Sequence, residues 1–378
     1  MSRKYRGARA TICACSTLAI VATACTADLD PPPLEPLEGA HVFVASGVDG
    51  RVHVFDESTF EEVATVEVGA GASEVHSTPD GSIVWALATD AAQVALIDAS
   101  TLDVRIVPVG LRPVHSYLDP SGRIWIGNDG SSDVSIVDVE AATETRVLTG
   151  NGHHKMAFVT DGAGALAFAY VSNINDSNVT VIDPEGAVVE QVQVGRSPHG
   201  MTYSRVTERV YNCSGDEQNS LEVLEPFAAD PHAVVARIPL TAGRCAWIRG
   251  GDEHGWMGLS SAGTIARITF ATHAIESWAA GPSPDAVAIV RDRAYVASAT
   301  EPIVTVVDLA GGARRTIAVG RGNSGIRHHA GRIYVPHDLD GAVSVIDVES
   351  EAVIATLTGI NRAKGIAVAN GGAGTPPE

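Results

Sequence analysis

The sequence predicts an all-β protein, a β-propeller built from four-stranded antiparallel blades. A short apolar strand motif recurs at intervals of 38 to 46 residues along the chain. Segments between the copies, such as "RVHVFD" and "AVSVID", alternate apolar and polar residues as β-strands do. Helical periodicity is nearly absent after the first 25 residues. A period of about forty residues made of short strands indicates propeller blades.

The number of copies predicts eight blades, with seven as the alternative. The strand motif recurs at Val42, Val84, Ile124, Leu166, Val210, Trp256, Ala294 and Ile333. The segment "AKGIAVAN" near the C-terminus is the strand that normally precedes such a copy, whereas the first copy has none before it. We therefore expect the C-terminal strand to complete the first blade and close the ring, which leaves no free sheet edge.

The N-terminal residues read as an export signal followed by a tether. "MSRKYRGAR" is basic, and "TICACSTLAIVATA" is apolar but too short for a mature membrane helix. "ATAC" resembles a bacterial lipobox ending in Cys25, the lipidation site, although Ala22 stands where leucine is preferred; plain secretion is the alternative. We expect a signal peptide over 1–24, a Pro- and acid-rich lipid-anchored linker over 25–39, the propeller over 40–370 and a flexible tail over 371–378.

The net charge argues against some classes of partner, and the cysteine content bears on the compartment of the protein. The chain has 26 Lys and Arg against 45 Asp and Glu, a net charge of −19, which disfavours nucleic-acid binding. Cys213 and Cys245 are the two cysteines of the mature body. In an oxidising compartment they can pair, and two buried free thiols are the alternative. We expect an exported lipoprotein of the cell envelope that contacts the membrane only through its anchor.

Acidic residues end the "VxVID" strand of most repeats. They would look catalytic only if the repeat were ignored. A short acidic side chain at a strand end bonds the backbone of the following turn, as "DEST", "DAST" and "DVES" predict. We interpret these acids as turn residues. They are Asp56, Asp98, Asp138, Asp183, Asp308 and Asp347, with Glu225 as a substitute and Phe270 as the exception.

The repeat resembles that of the YVTN-repeat (YncE-like) β-propeller family. The clearest copy is "RIYVPHDLDGAVSVIDVESEAVIATLTG", and the pattern extends over nearly all of residues 40–370. The resemblance implies an exported bacterial propeller, commonly seven-bladed and without an established activity in most members. The fifth and sixth units depart from the pattern, since "NSLEVLEPFAADPHAVVARIPLTAGRCAWI" lacks the Asp turn and the "VGxxP".

The candidate site lies in the "VGxxPxG" connections. We expect these connections and the loops after the "IYV" strands to lie on the same face of the propeller, at the mouth of the central channel. Aligning the units gives a middle slot of Ser73, Val114, His154, His199, Cys245, Asp285, Ser324 and Lys364. The following slot holds Glu74, His115, Lys155, Gly200, Ala246, Ala286, Gly325 and Gly365. The ligand-binding candidates are Glu74, His115, His153, His154, His199, Asp285, His337 and Asp338. His154 and His199 are the metal candidates, because imidazole is the commonest metal ligand; the alternative is a solvated channel lined by polar side chains.

Two functions fit these residues. The mature chain contains no "GxSxG", "HExxH", P-loop or "CxxCH" motif, which favours a monomeric binding or scaffold module for an envelope protein, peptide or glycan. This function assigns the chain neither an enzyme activity nor a cofactor. The alternative is a cofactor- or metal-binding enzyme. Propellers resembling this repeat include d1-haem domains, lactonases and a lyase, which implies that His115, His154 and His199 would act as axial ligands or general bases, with Glu74 or Asp285 assisting.

Overall fold

The computed structural model describes residues 36–152, 155–215, 219–240, 243–323 and 325–370. These residues form 32 strands and one 3-10 helix, Ser260–Ala262. The strands in chain order are β1 (Ala40–Ser46), β2 (Arg51–Asp56), β3 (Glu62–Glu67), β4 (Ala72–Ser77), β5 (Ile83–Ala88), β6 (Gln93–Asp98), β7 (Val104–Pro108), β8 (Pro113–Leu118), β9 (Ile124–Asn128), β10 (Asp133–Asp138), β11 (Thr143–Leu148), β12 (Met156–Thr160), β13 (Leu166–Asn173), β14 (Asn178–Ile182), β15 (Val188–Gln193) and β16 (Met201–Ser204). They continue as β17 (Arg209–Ser214), β18 (Ser220–Leu224), β19 (Val234–Pro239), β20 (Cys245–Gly250), β21 (His254–Leu259), β22 (Thr264–Thr269), β23 (Ala274–Ala279), β24 (Pro284–Val290), β25 (Arg293–Ser298), β26 (Ile303–Asp308), β27 (Arg314–Ala318), β28 (Arg327–His329), β29 (Arg332–His337), β30 (Ala342–Asp347), β31 (Ala352–Leu357) and β32 (Ala363–Asn370).

The strands form eight four-stranded antiparallel sheets, so the prediction of an eight-bladed propeller is confirmed. Blades 2 to 8 each consist of four consecutive strands, from β4–β7 to β28–β31, while blade 1 combines β1–β3 with β32. The innermost strands are β32, β4, β8, β12, β16, β20, β24 and β28, and neighbours such as β32 and β4, or β12 and β16, contact each other beside the central channel.

The C-terminal strand closes the ring, as predicted. β1 pairs with β2 on one side and with β32 on the other, and Val42 lies opposite Val368 in the second ladder. Because blade 1 takes strands from both ends of the repeat, separation of the two ends would break a complete ladder of backbone hydrogen bonds. This arrangement holds the first and last repeats together without any further element.

Apolar side chains fill the interfaces between neighbouring blades. Each of the eight hydrophobic clusters among the described residues joins two adjacent blades. Between blades 1 and 2, for example, Phe43 and Val54 pack against Val84 and Ile97, and all four are fully buried. Both faces of the second and third strands of a blade are covered, as in β5, β6, β9 and β10, which explains their long apolar runs. Burial of each such side chain contributes about 1.5–3 kcal/mol.

The acidic residues at the strand ends are turn residues, as the repeat predicts. The Asp56 carboxylate accepts backbone hydrogen bonds from Ser58 (2.9 Å) and Thr59 (2.8 Å). Asp98 accepts the equivalent two bonds in the next blade, both at 2.9 Å. The hydrogen bond from the Ser58 hydroxyl, followed by that from the Thr59 backbone, lowers the pKa of Asp56 to about 2. These carboxylates therefore serve the hairpins.

Cys213 and Cys245 are paired in the structure. Cys213 lies on β17 of blade 5 and Cys245 on β20 of blade 6, with their Cα atoms 5.5 Å apart. Both side chains are buried in the apolar cluster between these blades. The pair thus links adjacent blades at the two units whose sequences depart most from the repeat.

The part of the chain that the structure describes contains no helix long and apolar enough to cross a membrane.

Candidate binding site at the channel mouth

The loops before the innermost strands and the loops after the second strands lie side by side, which confirms that they share one face. In blade 2 the Thr89 N–H donates to the Gly71 carbonyl (3.0 Å) and the Asp90 N–H donates to the Ala70 carbonyl (3.2 Å). In blade 3 the Asp129 N–H donates to the Arg112 carbonyl (3.1 Å). The two loop types of a blade therefore lie at the same end of the channel.

Glu74 on β4 is the centre of a polar cluster that spans adjacent blades. Its Oε1 lies 2.8 Å from His115 Nδ1 on β8. Its Oε2 accepts hydrogen bonds from the Ser116 backbone N–H (2.9 Å) and hydroxyl (3.1 Å), and lies 3.4 Å from His76 Nε2. The Glu74 side chain is only 26% exposed. Both carboxylate oxygens are thus held by groups that favour the ionised form.

The histidines decide the charge of Glu74. Burial raises the pKa of this carboxyl, but hydrogen bonds and charge from His115, and then from His76, outweigh burial and hold the pKa well below its usual range. Glu74 is therefore a carboxylate at neutral pH. A carboxylate bonded to one imidazole nitrogen fixes the orientation of the ring, as carboxylate partners do for histidines in metal and catalytic sites.

Lys155 extends the cluster to blade 4. It immediately precedes β12, and its Nζ lies 3.3 Å from the same Nδ1 of His115 that faces Glu74. Burial lowers the pKa of Lys155 to about 8, although the Glu74 carboxylate opposes this effect. Arg249 lowers the pKa further, whereas Asp285 raises it. A substantial fraction of Lys155 is therefore neutral amine at mildly alkaline pH.

Tyr117, Arg249 and Asp285 belong to the same electrostatic environment. Burial raises the pKa of Tyr117, and the Glu74 charge adds to this rise while Arg249 opposes it. Burial also raises the pKa of Asp285, and the charges of Lys155 and Arg249 limit that rise. Groups from blades 2, 3, 4, 6 and 7 therefore act on one another across the channel.

The innermost strands carry more basic than acidic groups, in contrast to the acidic chain as a whole. The cations on these strands are Arg249, Arg327 and Lys364, Lys155 directly precedes β12, and the acids on these strands are Glu74 and Asp285. The chain has only three lysines, and the two within the propeller both lie here. A channel lined by cations inside an acidic protein focuses the electric field on anionic groups.

The structure brings together some of the residues predicted from sequence. Glu74 and His115 are in direct contact, and Asp285 acts on the same cluster through Lys155. His199 precedes β16, is half-buried, and donates its backbone N–H to the Cys213 carbonyl (2.9 Å). His153 and His154 lie outside the described residues, as does the lipidation candidate Cys25.

His337 and Asp338 are both engaged in contacts within the protein. The His337 ring is fully buried, with Nδ1 2.8 Å from Asn323 Oδ1 and Nε2 2.8 Å from Ser344 Oγ. Burial lowers the pKa of His337 to about 4, so the ring is neutral at physiological pH. Asp338 forms ion pairs with Arg362 (2.6 Å) and Lys364 (3.4 Å). This geometry indicates that His337 holds its loop to the preceding connection.

The slot alignment is wrong by one residue in the worn sixth unit. Cys245 pairs with Leu259, the last residue of its second strand, as Pro113 pairs with Asn128 in blade 3. Trp247, and not Ala246, therefore occupies the position equivalent to His115. The connection before β20 lacks the "VGxxP" landmark, which left the sequence alignment without a fixed point.

Sequence reasoning missed His76, Tyr117, Lys155 and Arg249. His76 and Tyr117 each lie two residues beyond a slot residue on the same strand. Because side chains two apart share a strand face, the alternation was a signal that could have found them. Lys155 is aligned with Glu74 and His115 in one slot, but the candidate residues were chosen mainly among the histidines, so this lysine was not included.

Metal ligation has no complete donor set in the described part of the chain. Within the ranges from 36 to 370 that the structure describes, no group of three or more His, Cys, Asp and Glu side chains is arranged to hold a metal ion. The Glu74 carboxylate faces two imidazoles, but its oxygens are engaged by His115, Ser116 and His76.

Comparisons with known proteins support the fold. No family model matches the chain, and no curated protein matches it. Among solved structures it is similar to AztD from Citrobacter koseri, at 17% identity and a TM-score of 0.69, covering 89% of this chain and 99% of that one. It is also similar to the dihydro-heme d1 dehydrogenase NirN (17% identity, TM-score 0.68, 86% and 74% covered) and to a streptogramin B lyase (12%, 0.57, 79% and 94%). These neighbours are β-propellers of the YVTN (YncE-like) type. At these identities the likeness establishes the fold alone.

Proposed function

We propose that the chain is an exported lipoprotein of the cell envelope that acts as a monomeric binding module of the YVTN-repeat type. Its ligand is an acidic group on an envelope protein, a peptide or a glycan, and this group enters at the channel mouth. Residues 1–24 serve as signal peptide, Cys25 carries the lipid, and 25–39 form the tether.

The observation that carries this proposal is the excess of cations on the innermost strands. Lys155, Arg249 and Arg327 come from three different blades, so a ligand reaching the channel meets positive charge from several directions. Glu74 supplies one negative charge against these three cations, and its oxygens are already bonded to His115, Ser116 and His76. Elsewhere the surplus of acids disfavours nonspecific binding of anions.

A binding titration tests the proposal. We would measure calorimetrically the binding of a glutamate-rich peptide and of an oligogalacturonide to the full chain, with a glutamine-rich peptide and a neutral glycan as matched probes. The expected result is preference for the acidic probes, loss of about ten-fold in affinity in Arg249→Gln, and weaker binding at high salt. The control is Arg51→Gln, which removes an exposed cation paired with Glu67 outside the channel. Equal binding of acidic and neutral probes would contradict the proposal.

A second candidate is supported by the Glu74–His115 pair. A histidine oriented by a carboxylate is the arrangement that general bases and metal ligands require. The enzyme interpretation, with a metal or a haem-like cofactor held by channel-mouth histidines, is tested on the full chain purified from its native membranes. A Soret band or stoichiometric metal that is lost in His115→Ala would favour the enzyme, and a colourless, metal-free protein that still binds acidic probes would favour the binding module.

A further inference from the structure

One residue of every innermost strand pairs with a large aromatic residue of the second strand, and these residues define one level of the channel wall. Tyr117 pairs in this way with Trp125, and Arg249 with Trp256. The level lies two residues beyond the slot of Glu74, or about 7 Å deeper along the strand. Its eight residues, called the lower ring below, are His76, Tyr117, Ala157, Thr202, Arg249, Ala288, Arg327 and Ala367.

The lower ring contains cations and hydrogen-bond donors but no acid. It combines two arginines, a histidine, two residues with hydroxyl groups and three alanines. The alanines lie in blades 1, 4 and 7, where their short side chains leave space between the longer ones. The two acids of the innermost strands, Glu74 and Asp285, lie nearer the mouth. A negative group at the depth of the lower ring therefore meets two cations and no carboxylate of that ring.

The two arginines of the lower ring reach the channel from different sides. Arg327 Nη2 lies 3.3 Å from His76 Nδ1, so this guanidinium extends from blade 8 past blade 1 to blade 2. Burial raises the pKa values of Tyr117 in blade 3 and Asp285 in blade 7, and the charge of Arg249 in blade 6 opposes both rises. The Arg249 charge therefore lies within reach of both sides of the channel.

The Arg249 guanidinium is not used by the fold. The side chain is exposed, and no residue of the described ranges forms a hydrogen bond or an ion pair with its guanidinium. Other exposed arginines are paired, as Arg205 is with Asp252 and Arg321 with Asp340. A guanidinium carries five N–H donors in a fixed plane. Those of Arg249 are therefore available to a ligand in the channel.

We propose that the lower ring binds a phosphate group, either as free phosphate or as a phosphate monoester, with Arg249 as its main donor and Tyr117 and Arg327 as further donors. These donors converge from blades 6, 3 and 8. A carboxylate has only two oxygens in one plane, whereas the oxygens of phosphate point in four directions and suit donors that surround them. In naming the acidic group that enters at the mouth, this inference rests on the proposed function.

The test is a calorimetric titration of the full chain with inorganic phosphate and with acetate at low salt. We expect phosphate to bind at least about ten times more tightly than acetate, and to bind about ten-fold more weakly in Arg249→Gln. The matched control is Arg244→Gln, because Arg244 is an exposed arginine directly before the innermost strand of the same blade, at the mouth. This control should change the affinity by no more than about two-fold.

Three results would overturn the inference or support it further. Phosphate that binds no more tightly than acetate, or equal losses in the two variants, would overturn it. Arg249→Lys keeps the charge but loses the planar pair of donors, so a loss of several-fold in this variant would support a directional contact with phosphate oxygens. Tighter binding of glucose 6-phosphate than of free phosphate would identify the monoester as the ligand, and the reverse order would identify the free ion.

The acidic and neutral peptides and glycans of the preceding test separate this inference from the proposed function. If the acidic probes are preferred but phosphate binds no better than acetate, the phosphate assignment is wrong and the proposed function stands. If phosphate binds as expected while acidic and neutral probes bind equally, the lower ring is a phosphate site and the proposed macromolecular ligand is wrong.

Discussion

Replacing Glu74 by Gln should lower the pKa of Lys155. Glu74 Oε1 and Lys155 Nζ lie 2.8 and 3.3 Å from the same nitrogen of His115, so they are no more than about 6 Å apart. Opposite charges at about 6 Å attract by about 3 kcal/mol at an effective dielectric constant of about 20, or about 2 pH units. Water in the channel screens part of this, so we expect a fall of about 1 to 2 pH units from the value of about 8.

The assay is the pH titration of lysine ¹³Cε resonances in the full chain. Only Lys4, Lys155 and Lys364 occur in the sequence, so the spectrum can be assigned by single substitutions. Asp338→Asn is the matched control, because it removes the carboxylate beside Lys364 and should leave Lys155 unchanged. If Lys155 titrated within about 0.3 pH units of the wild-type value in Glu74→Gln, the inferred electrostatic coupling between Glu74 and Lys155 would be refuted.

Three further perturbations test other parts of the molecule. Because burial lowers the pKa of His337 from 6.5 to about 4, the folded state takes up this proton less readily than the unfolded state. Its contribution to stability is complete above pH 6.5 and falls by about 3 kcal/mol as the pH drops toward 4; His337→Gln should remove this part of the pH dependence in urea unfolding. Replacing Cys213 and Cys245 by Ala opens a link across 32 residues, which should cost about 3–4 kcal/mol in the same assay; an unchanged midpoint would contradict this. Cys25→Ala should move the protein from the membrane fraction to the soluble fraction, and continued membrane association would show that the lipobox interpretation is wrong.

The repeat made the fold predictable because each blade is one unit of sequence. The eight copies of the strand motif, from Val42 to Ile333, correspond to the second strands of the eight blades. The unmatched segment at the C-terminus correctly predicted ring closure, because β32 must pair with β1 to leave no edge. Around Cys245 the "VGxxP" motif is missing, and the alignment of the repeats is wrong there by one residue.

The site was only partly predictable, because it depends on contacts between blades. Sequence placed Glu74, His115 and Lys155 in one slot, but it could not show that a single imidazole nitrogen faces both neighbours. The burial of His337 was also not visible from sequence, because its ring contacts the Asn323 side chain of the preceding connection and Ser344 of the neighbouring strand. Side-chain length and the rotation between blades decide which slot residues meet.

The most direct test of the central claim, that the channel mouth binds acidic groups, is a titration of the lysine-labelled full chain with a glutamate-rich peptide. We predict a saturable shift of the Lys155 resonance that weakens with salt and is much smaller with the matched glutamine-rich peptide. A Lys155 resonance that stayed unchanged at saturating acidic peptide, or that moved equally with both peptides, would contradict the claim.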